Sequence, residues 1–353
     1  MNLDDWRSRI NDLDNQILDL LTQRAEAALQ IGDLKRRQDA PSYAPEREAD
    51  ISRRLIEENR GPLSADAVAA VWREILSGCR ALEGALTVAY LGPSATFTHQ
   101  AALQHFGGAA MYRPARSIGE VFDDVERGRA DFGVVPVENS TEGAVNVTLD
   151  RLIVSEALIC GELKLEITQH LLSRAADLGE VKRVVSHPQA LAQCRGWLAE
   201  HLADVAAEET LSTAAAAELA ATDSTVAAIA SELAARLYNV PVLKARIEDN
   251  PQNATRFLVT GRRPVGPTGH DKTSILFAMR NVPGALYRIL EPLARDSINL
   301  TKIESRPRRV QLGHYMFFAD LEGGAGDPLV SDALEALRAR VAELRVLGSY
   351  PAA

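Results

Sequence analysis

From residue 3 to residue 34 the positions Leu3, Trp6, Ile10, Leu13, Ile17, Leu20, Arg24, Ala27, Ile31 and Leu34 step by three and four without a slip. This spacing is a seam along one face of a long α-helix. A helix of about 35 residues is about 50 Å long, longer than a unit of eighty-odd residues is wide, so the seam is expected to close on a second copy of the chain. Pro45 opens a second helix, because its fixed φ suits a first turn. A third, capped by Ser64 and stopped near Gly84, sets Trp72, Ile75, Cys79 and Leu82 on one side. The opening segment is therefore expected to be a three-helix unit.

Arg24 interrupts the seam. A guanidinium on an apolar face must meet an anion or carry a desolvation cost of several kcal/mol. Lys35, eleven residues on, returns to nearly the same side of the helix. Arg7 lies about 26 Å away along the axis, so in an antiparallel pair it would serve the ligand of the other chain. Two readings of Arg24 follow from the residues alone: an ion pair with an acid on a neighbouring helix, or an anionic ligand.

The whole chain has 353 residues, which is too many for one core and indicates two or three domains. Its net charge of -9 argues against nucleic acid as a partner, and any anionic ligand must be held by local clusters. The start, MNLDDWRSRI, has no basic and apolar leader pattern, and no apolar run approaches the roughly 18 residues of a membrane span, so a cytoplasmic protein without membrane contact is expected. Cys79, Cys160 and Cys194 are widely spaced, with no CxxC, and read as reduced packing residues that form neither a disulfide framework nor a metal site.

After residue 86 short apolar runs each break into a helix. Val88–Leu91 leads to GPSATFTHQAA, Phe132–Val135 to PVENSTEGAV, Val181–Val185 to SHPQALAQC and Val226–Ala230 to SELAARLY. Ser or Thr stands at each junction, as helix caps do. Alternating strands and helices imply a largely parallel sheet, with ligands beyond the carboxyl ends of its strands. Several helix N-termini aimed into one cleft would hold a dianion in an acidic protein. The run NATRFLV then places a hydroxyl and a guanidinium, Thr255 and Arg256, at the mouth of an apolar strand. The stretch 263–272, rich in Gly and Pro, reads as a linker. Beyond it come strand 273–279, a helix from about 284, strands near 298–304 and 312–321, a helix from 328 and strand 344–350, the βαββαβ order of a ferredoxin-like module.

WRSRINDLDNQILDLLTQRAEAALQIGDLK, PEREADISRRL and WREILSGCRALE together resemble the all-helical class of chorismate mutase. The resemblance implies a substrate site of Arg24, Lys35, Arg47, Glu48, Cys79 and Glu83, with Arg7 from the partner chain. Lys35 and Glu83 would act on the ether oxygen of chorismate and Glu48 on its ring hydroxyl. The rearrangement needs no nucleophile or cofactor, only two carboxylates held with the side chain over the ring and charge stabilised on that oxygen. Ala44, Cys79 and Glu83 stand where Asp, Ser and Gln can occur, and Glu83 donates only when protonated, which predicts a mutase rate that rises on acidification.

YLGPSATFTHQAA, VVPVENSTEG, VVSHPQALAQC and NATRFLV resemble prephenate dehydratase, whose two-lobed fold is like type II periplasmic binding proteins. The lobes would be 86–163 with 247–262, against 164–246. The resemblance gives Thr255 the central role, as a hydrogen-bond donor or relay, since a threonine hydroxyl is too weak an acid to protonate outright. It sets Arg256 on a substrate carboxylate and Phe257 beside it. Glu138 and His187 are the titratable candidates, and Asn139, Ser140, Thr141, Ser186, Gln189, Gln193 and Thr213 the lining. Ala95 replaces a glycine often found in the first of these motifs.

NVPGALYRIL and INLTKIESRP resemble the ACT regulatory domain of prephenate dehydratases. This implies a phenylalanine site between subunits formed by Gly284, Ala285, Leu286, Glu304, Ser305, Arg306 and Pro307. Tyr287 stands where Val is usual. The expected organisation is an all-α mutase unit over 1–85, working as a dimeric bundle, an α/β two-lobed domain over 86–262, the linker, and an α+β ferredoxin-like ACT domain over 273–353. The expected protein is a homodimer or homotetramer that takes chorismate and prephenate without cofactor or metal and answers to phenylalanine. Two alternatives stay open: a dehydratase whose helical part serves only to dimerise, and a non-catalytic sensor of aromatic metabolites.

Overall fold

The computed structural model describes residues 2–38, 41, 43–279, 282–307 and 315–353. Two compact units emerge, Met1–Thr87 with His105–Met111, and Val88–Gln104 with Tyr112–Ala353.

The first unit contains helices α1 (Leu3–Arg37), α2 (Pro45–Glu58) and α3 (Ala65–Glu83). A capping box starts α1, with Asn2 and Asp5 each accepting from the other's backbone N–H at 2.8 and 2.7 Å. Ser64 caps α3 in the same manner, whereas Ala44 at the head of α2 makes no side-chain cap. Helix α1 packs on α3 through Ala28 and Gly32. A Cβ on Gly32 would stand 3.0 Å from the Cα of Glu83, so the two backbones meet there. The seam itself looks the other way: Leu3, Ile10, Ile17 and Leu20 are 66, 55, 53 and 64% exposed.

After the three helices come β1 (Thr87–Leu91), α4 (Phe97–Phe106) and β2 (Met111–Ala115), of which Thr87, His105–Phe106 and Met111 count with the first unit, and then α5 (Ile118–Glu126), β3 (Phe132–Asn139), β4 (Gly143–Ala144), α6 (Asn146–Val154) and β5 (Leu158–Glu166) of the second. It continues through β6 (His170–Ser173), β7 (Arg183–Ser186), α7 (Pro188–Gln193), α8 (Arg195–His201), β8 (Ala206–Glu209), α9 (Thr213–Thr222), β9 (Val226–Ala230), α10 (Glu232–Tyr238), β10 (Val242–Lys244) and β11 (Ala254–Gly261). These strands form two sheets, ordered β2-β1-β3-β11-β5 and β10-β6-β9-β7-β8. Strand pairs β1/β3, β7/β8 and β7/β9 are parallel, but β11 runs antiparallel to both β3 and β5, and β6 antiparallel to β9. The sheets are therefore mixed where a largely parallel sheet was expected. The cause is connectivity: β5 carries the chain out of the first lobe and, after the whole of the second lobe, β11 brings it back beside β5 in the opposite direction.

Ala95, in the loop after β1, has φ 68° and is fully buried. Left-handed backbone favours glycine, which accounts for the residue often found there. Its methyl group packs among Leu172, Val185 and Ala230 of the second lobe, which offsets the cost.

The chain ends in β12 (Asp271–Met279), α11 (Ala285–Arg295), β13 (Leu300–Pro307), β14 (Tyr315–Glu322), α12 (Pro328–Arg338) and β15 (Glu343–Pro351), with sheet order β13-β14-β12-β15. Residues 312–314, expected to open β14, lie outside the described residues. Side chains alternate along β12: Ile275 and Phe277 pack under the helices, while Leu276 and Ala278 join Val135, Leu149 and Leu258 of the first lobe in one core. The approach is close enough that a Cβ on Gly348 of β15 would fall 2.1 Å from the carbonyl oxygen of Ile159. The stretch expected as a linker is tied down, since Cys160 Sγ donates to the Arg263 carbonyl at 3.3 Å and Asp271 accepts from the Thr268 N–H at 2.8 Å.

Candidate active sites

In the helical unit, two of the sequence-expected residues, Lys35 and Glu83, meet where the later part of α1 packs on the end of α3. Lys35 Nζ donates to Glu83 Oε2 at 2.7 Å, an ion pair set by the Gly32 contact. The guanidinium of Arg24 lies over the Trp72 ring, 6.0 Å from its centroid. Arg80, which the sequence reading passed over, is 4% exposed, sits 4.7 Å over the Tyr43 ring and donates to Glu48 Oε1 at 2.6 Å and to the Phe106 carbonyl. It aims Glu48. Burial raises the Glu48 carboxyl above its ordinary value of 4.5, and Arg80 offsets this only in part. Cys79 is buried and Arg47 is exposed. Arg7, near the far end of α1, is largely exposed and holds Asp4 at 3.3 Å, so it belongs to no site within one chain.

In the second unit a cavity of about 420 Å³ opens between the two sheets. Thr255, Asn139 and Phe257 line it from the first lobe, with His187, Gln189, Gln193 and Thr213 from the second. Thr255 is 8% exposed, and its Oγ1 accepts from Asn139 Nδ2 at 2.9 Å. The Asn139 amide is oriented by its other end, where Oδ1 accepts from the backbone N–H groups of Thr141 and Glu142 at 2.9 and 3.1 Å. The Thr255 oxygen is thus already an acceptor, and its own hydrogen is left to donate. His187 heads α7, with Nδ1 accepting from the Gln189 N–H at 3.3 Å.

Five expected cleft residues, Glu138, Ser140, Thr141, Ser186 and Arg256, do not line the cavity. Ser186 is fully buried and spends its hydroxyl on the Ile229 carbonyl at 2.6 Å. Arg256, Glu138 and Ser140 line a second hollow on the opposite side of the first sheet. The reason is strand alternation: Thr255 pairs with Asn139 and Arg256 with Glu138 on neighbouring rungs of β11 and β3, so one rung faces the cleft and the next faces the tail. Arg256 donates to Glu162 Oε2 and Asp320 Oδ2, both at 2.6 Å, and to Tyr350 at 3.3 Å. Glu138 accepts from Lys302 Nζ at 2.6 Å. Arg256 therefore binds the tail in place of a substrate carboxylate, and Glu138 is no cleft acid. Ser140 Oγ accepts from the Ala254 N–H at 3.0 Å, and the Thr141 hydroxyl donates to Asn253 Oδ1 at 3.4 Å. Glu142 and Gln169 line the cleft and were not singled out in the sequence; Glu142 stood within the NSTEG motif, while nothing around Gln169 marked it.

In the tail, Gly284 has φ 72° and forms the left-handed head of α11. Ala285 lines a cavity of about 580 Å³ with Val282, Ile289 and residues 339–342, and Leu286 packs against the core beneath the helices. Glu304, Ser305, Arg306 and Pro307 lie apart from it on β13, the edge strand. Arg306 donates to Asp150 Oδ1 at 2.8 Å and Asn146 Oδ1 at 2.7 Å. One chain does not bring the two motifs into one cavity.

Family models match the chain in three consecutive blocks: chorismate mutase type II over residues 6–84, prephenate dehydratase over 88–265 and the ACT domain over 273–339. A bifunctional chorismate mutase/prephenate dehydratase of Aquifex aeolicus is 47% identical, covering 99% of this chain and 98% of its own. Among solved structures, a prephenate dehydratase of Arthrobacter aurescens in complex with L-Phe is 39% identical with TM-score 0.69, covering 76% of this chain and 90% of its own. A protein described as a quorum quenching acylase reaches TM-score 0.70 at 30% identity, covering 76% of this chain and 98% of its own, so the fold shared over that part is also found in a protein described by other chemistry. What separates the two is the helical block joined to the others across the full length, and on that ground the chain belongs to the bifunctional chorismate mutase/prephenate dehydratase family.

Proposed function

We propose that this chain performs its family's two successive reactions with the residues described above, and that phenylalanine acts through the tail. In the helical unit Arg24 and Arg47, with the partner subunit's Arg7, hold the carboxylates of chorismate. Lys35 leaves Glu83 to donate to the ether oxygen, and Glu48, aimed by Arg80, accepts from the ring hydroxyl. The exposed seam of α1 supports pairing with a second copy, which would supply that Arg7.

In the cleft, prephenate loses its ring carboxyl as carbon dioxide, and the electron pair left behind aromatises the ring as the hydroxyl departs. One proton converts that hydroxyl to water. The observation that carries the reading is the Asn139 to Thr255 hydrogen bond, which makes the threonine oxygen an acceptor and turns its hydrogen to the leaving group. Asn139 is thus a positioning residue and Thr255 the donor. Support for phenylalanine comes from the L-Phe complex of the Arthrobacter dehydratase and from the tail's contacts with the rung beside Thr255.

Incubation with chorismate tests this directly: prephenate accumulates transiently and phenylpyruvate follows, and added phenylalanine slows the second step. Prephenate left unconsumed would refute the dehydratase. In the Lys35→Ala chain the first step should fall by about 10²-fold; an unchanged rate would make the helical unit a scaffold.

A further inference from the structure

Gln169 has no part in the reading above, yet its bonding is incomplete in a telling way. It follows β5 where the chain enters the second lobe, is 1% exposed, and lines the same cavity as Thr255. Its backbone is held on both sides, the N–H donating to Glu248 Oε2 at 2.9 Å and the carbonyl accepting from the Ile247 N–H at 2.8 Å. The side-chain Nε2 donates to Gln193 Oε1 at 3.1 Å. The remaining atom, Oε1, is buried and meets no donor among the described residues. A buried carbonyl left unpaired costs about 1–3 kcal/mol, a cost that a bound ligand removes if it brings a donor.

Substrate chemistry narrows what that donor is. Prephenate at neutral pH carries two carboxylates, a ketone and one hydroxyl, so the ring hydroxyl is its only donor. We propose that Gln169 is a catalytic residue of the dehydratase whose Oε1 accepts a hydrogen bond from the leaving hydroxyl. The inference rests on the dehydratase reading and deepens it. Holding the hydroxyl's hydrogen on Gln169 directs a lone pair of its oxygen to the donor at Thr255. The carbon to carboxylate bond then breaks, its electron pair enters the ring, the carbon to oxygen bond breaks, and the hydroxyl takes one proton, relayed from solvent water through the Thr255 hydroxyl, to leave as water. Gln193 Oε1 takes the Gln169 Nε2 hydrogen, which leaves Oε1 of Gln169 as the free end of the amide.

The test uses the full chain, whose mutase activity reports folding independently. Gln169→Met keeps the length and removes the acceptor. The expected result is a dehydratase kcat lower by about 10- to 100-fold, KM within about threefold and an unchanged mutase rate. Phenylpyruvate, which lacks the ring hydroxyl, should inhibit variant and wild type equally. Should the methionine chain lose both activities by misfolding, Gln169→Asn, which withdraws the amide by one methylene, must show the same fall in kcat. An undiminished kcat in a folded variant, or a raised KM with kcat intact, overturns the proposal, the latter by placing the amide on a carboxylate. A wild-type chain that leaves prephenate untouched defeats the underlying dehydratase reading.

Discussion

The helical unit and the two-lobed cleft are proposed to take dianions of similar size, and they are built from opposite materials. In the helical unit the expected contacts are cationic side chains, Arg24, Lys35 and Arg47, with Arg80 buried behind them. In the cleft the titratable lining residues are Glu142 and His187, and the rest is amide, hydroxyl and apolar surface. The difference follows from where backbone donors are free. Along the middle of a helix every N–H is spent on the preceding turn, so an anion lying between helices must be met by side chains. Where strands end and helices begin, N–H groups and helix poles remain available. The first site is proposed to draw Arg7 from a second copy of the chain, whereas one chain encloses the second.

The sharpest way to break this contrast is Thr255→Val, which keeps shape and removes the hydroxyl. Dehydratase kcat should fall by about 10²- to 10³-fold with the mutase rate untouched; steady-state assays of both reactions would show whether the sites are independent. Next in size, Ile17→Asp puts a charge into the seam of α1, and at equal protein concentration the mutase rate should drop by about tenfold or more while the dehydratase holds. Sedimentation read beside the two assays ties the loss to dissociation of the helical units.

A smaller effect concerns pH. Glu48 has its carboxyl raised above 4.5 by burial, so it takes up a proton sooner than an ordinary glutamate as pH falls. If the carboxylate form is the acceptor, the mutase rate declines on acidification, and Glu48→Gln flattens that limb. A rate that instead climbs would point to Glu83 as the titrating donor. The mildest change is Asp320→Asn, which loosens Arg256 on the tail side. Basal dehydratase turnover should move by no more than about threefold, with inhibition by phenylalanine weakened by more than that. Dose-response curves on the two chains would separate coupling from catalysis.

Much of this was legible residue by residue. The slip-free spacing of α1 located both the helix and the odd Arg24, since a 3.6-residue period assigns a face without knowledge of neighbours. The Gly32 contact that presses Glu83 on Lys35 was not legible, because it depends on which turn of α3 lies opposite. In NATRFLV the motif was plain and the orientation was not: adjacency in sequence suggested that Thr255 and Arg256 share a task, while a strand sends adjacent side chains to opposite faces. Period two forecast that separation; which face held substrate needed the sheet order. Glu138 went astray for the same reason. Gln169 escaped notice because a lone glutamine carries no pattern, and only its unpaired buried oxygen, on a residue that lines the cavity, marks it.

By itself the sequence determined the long helix and its unsatisfied seam, the βαββαβ order of the tail and the chemical types gathered in each block, since periodicity, caps and motif spacing are properties of neighbours along the chain. Only the tertiary structure decided which of those residues share a cavity, that Arg256 and Glu138 hold the tail while Thr255 and Asn139 face the cleft, and that the stretch after β11 is pinned. Those outcomes turn on strand register and on contacts between residues more than a hundred positions apart, such as Arg345 with the Leu152 carbonyl, |i−j| = 193, and such pairings leave no local trace in the chain.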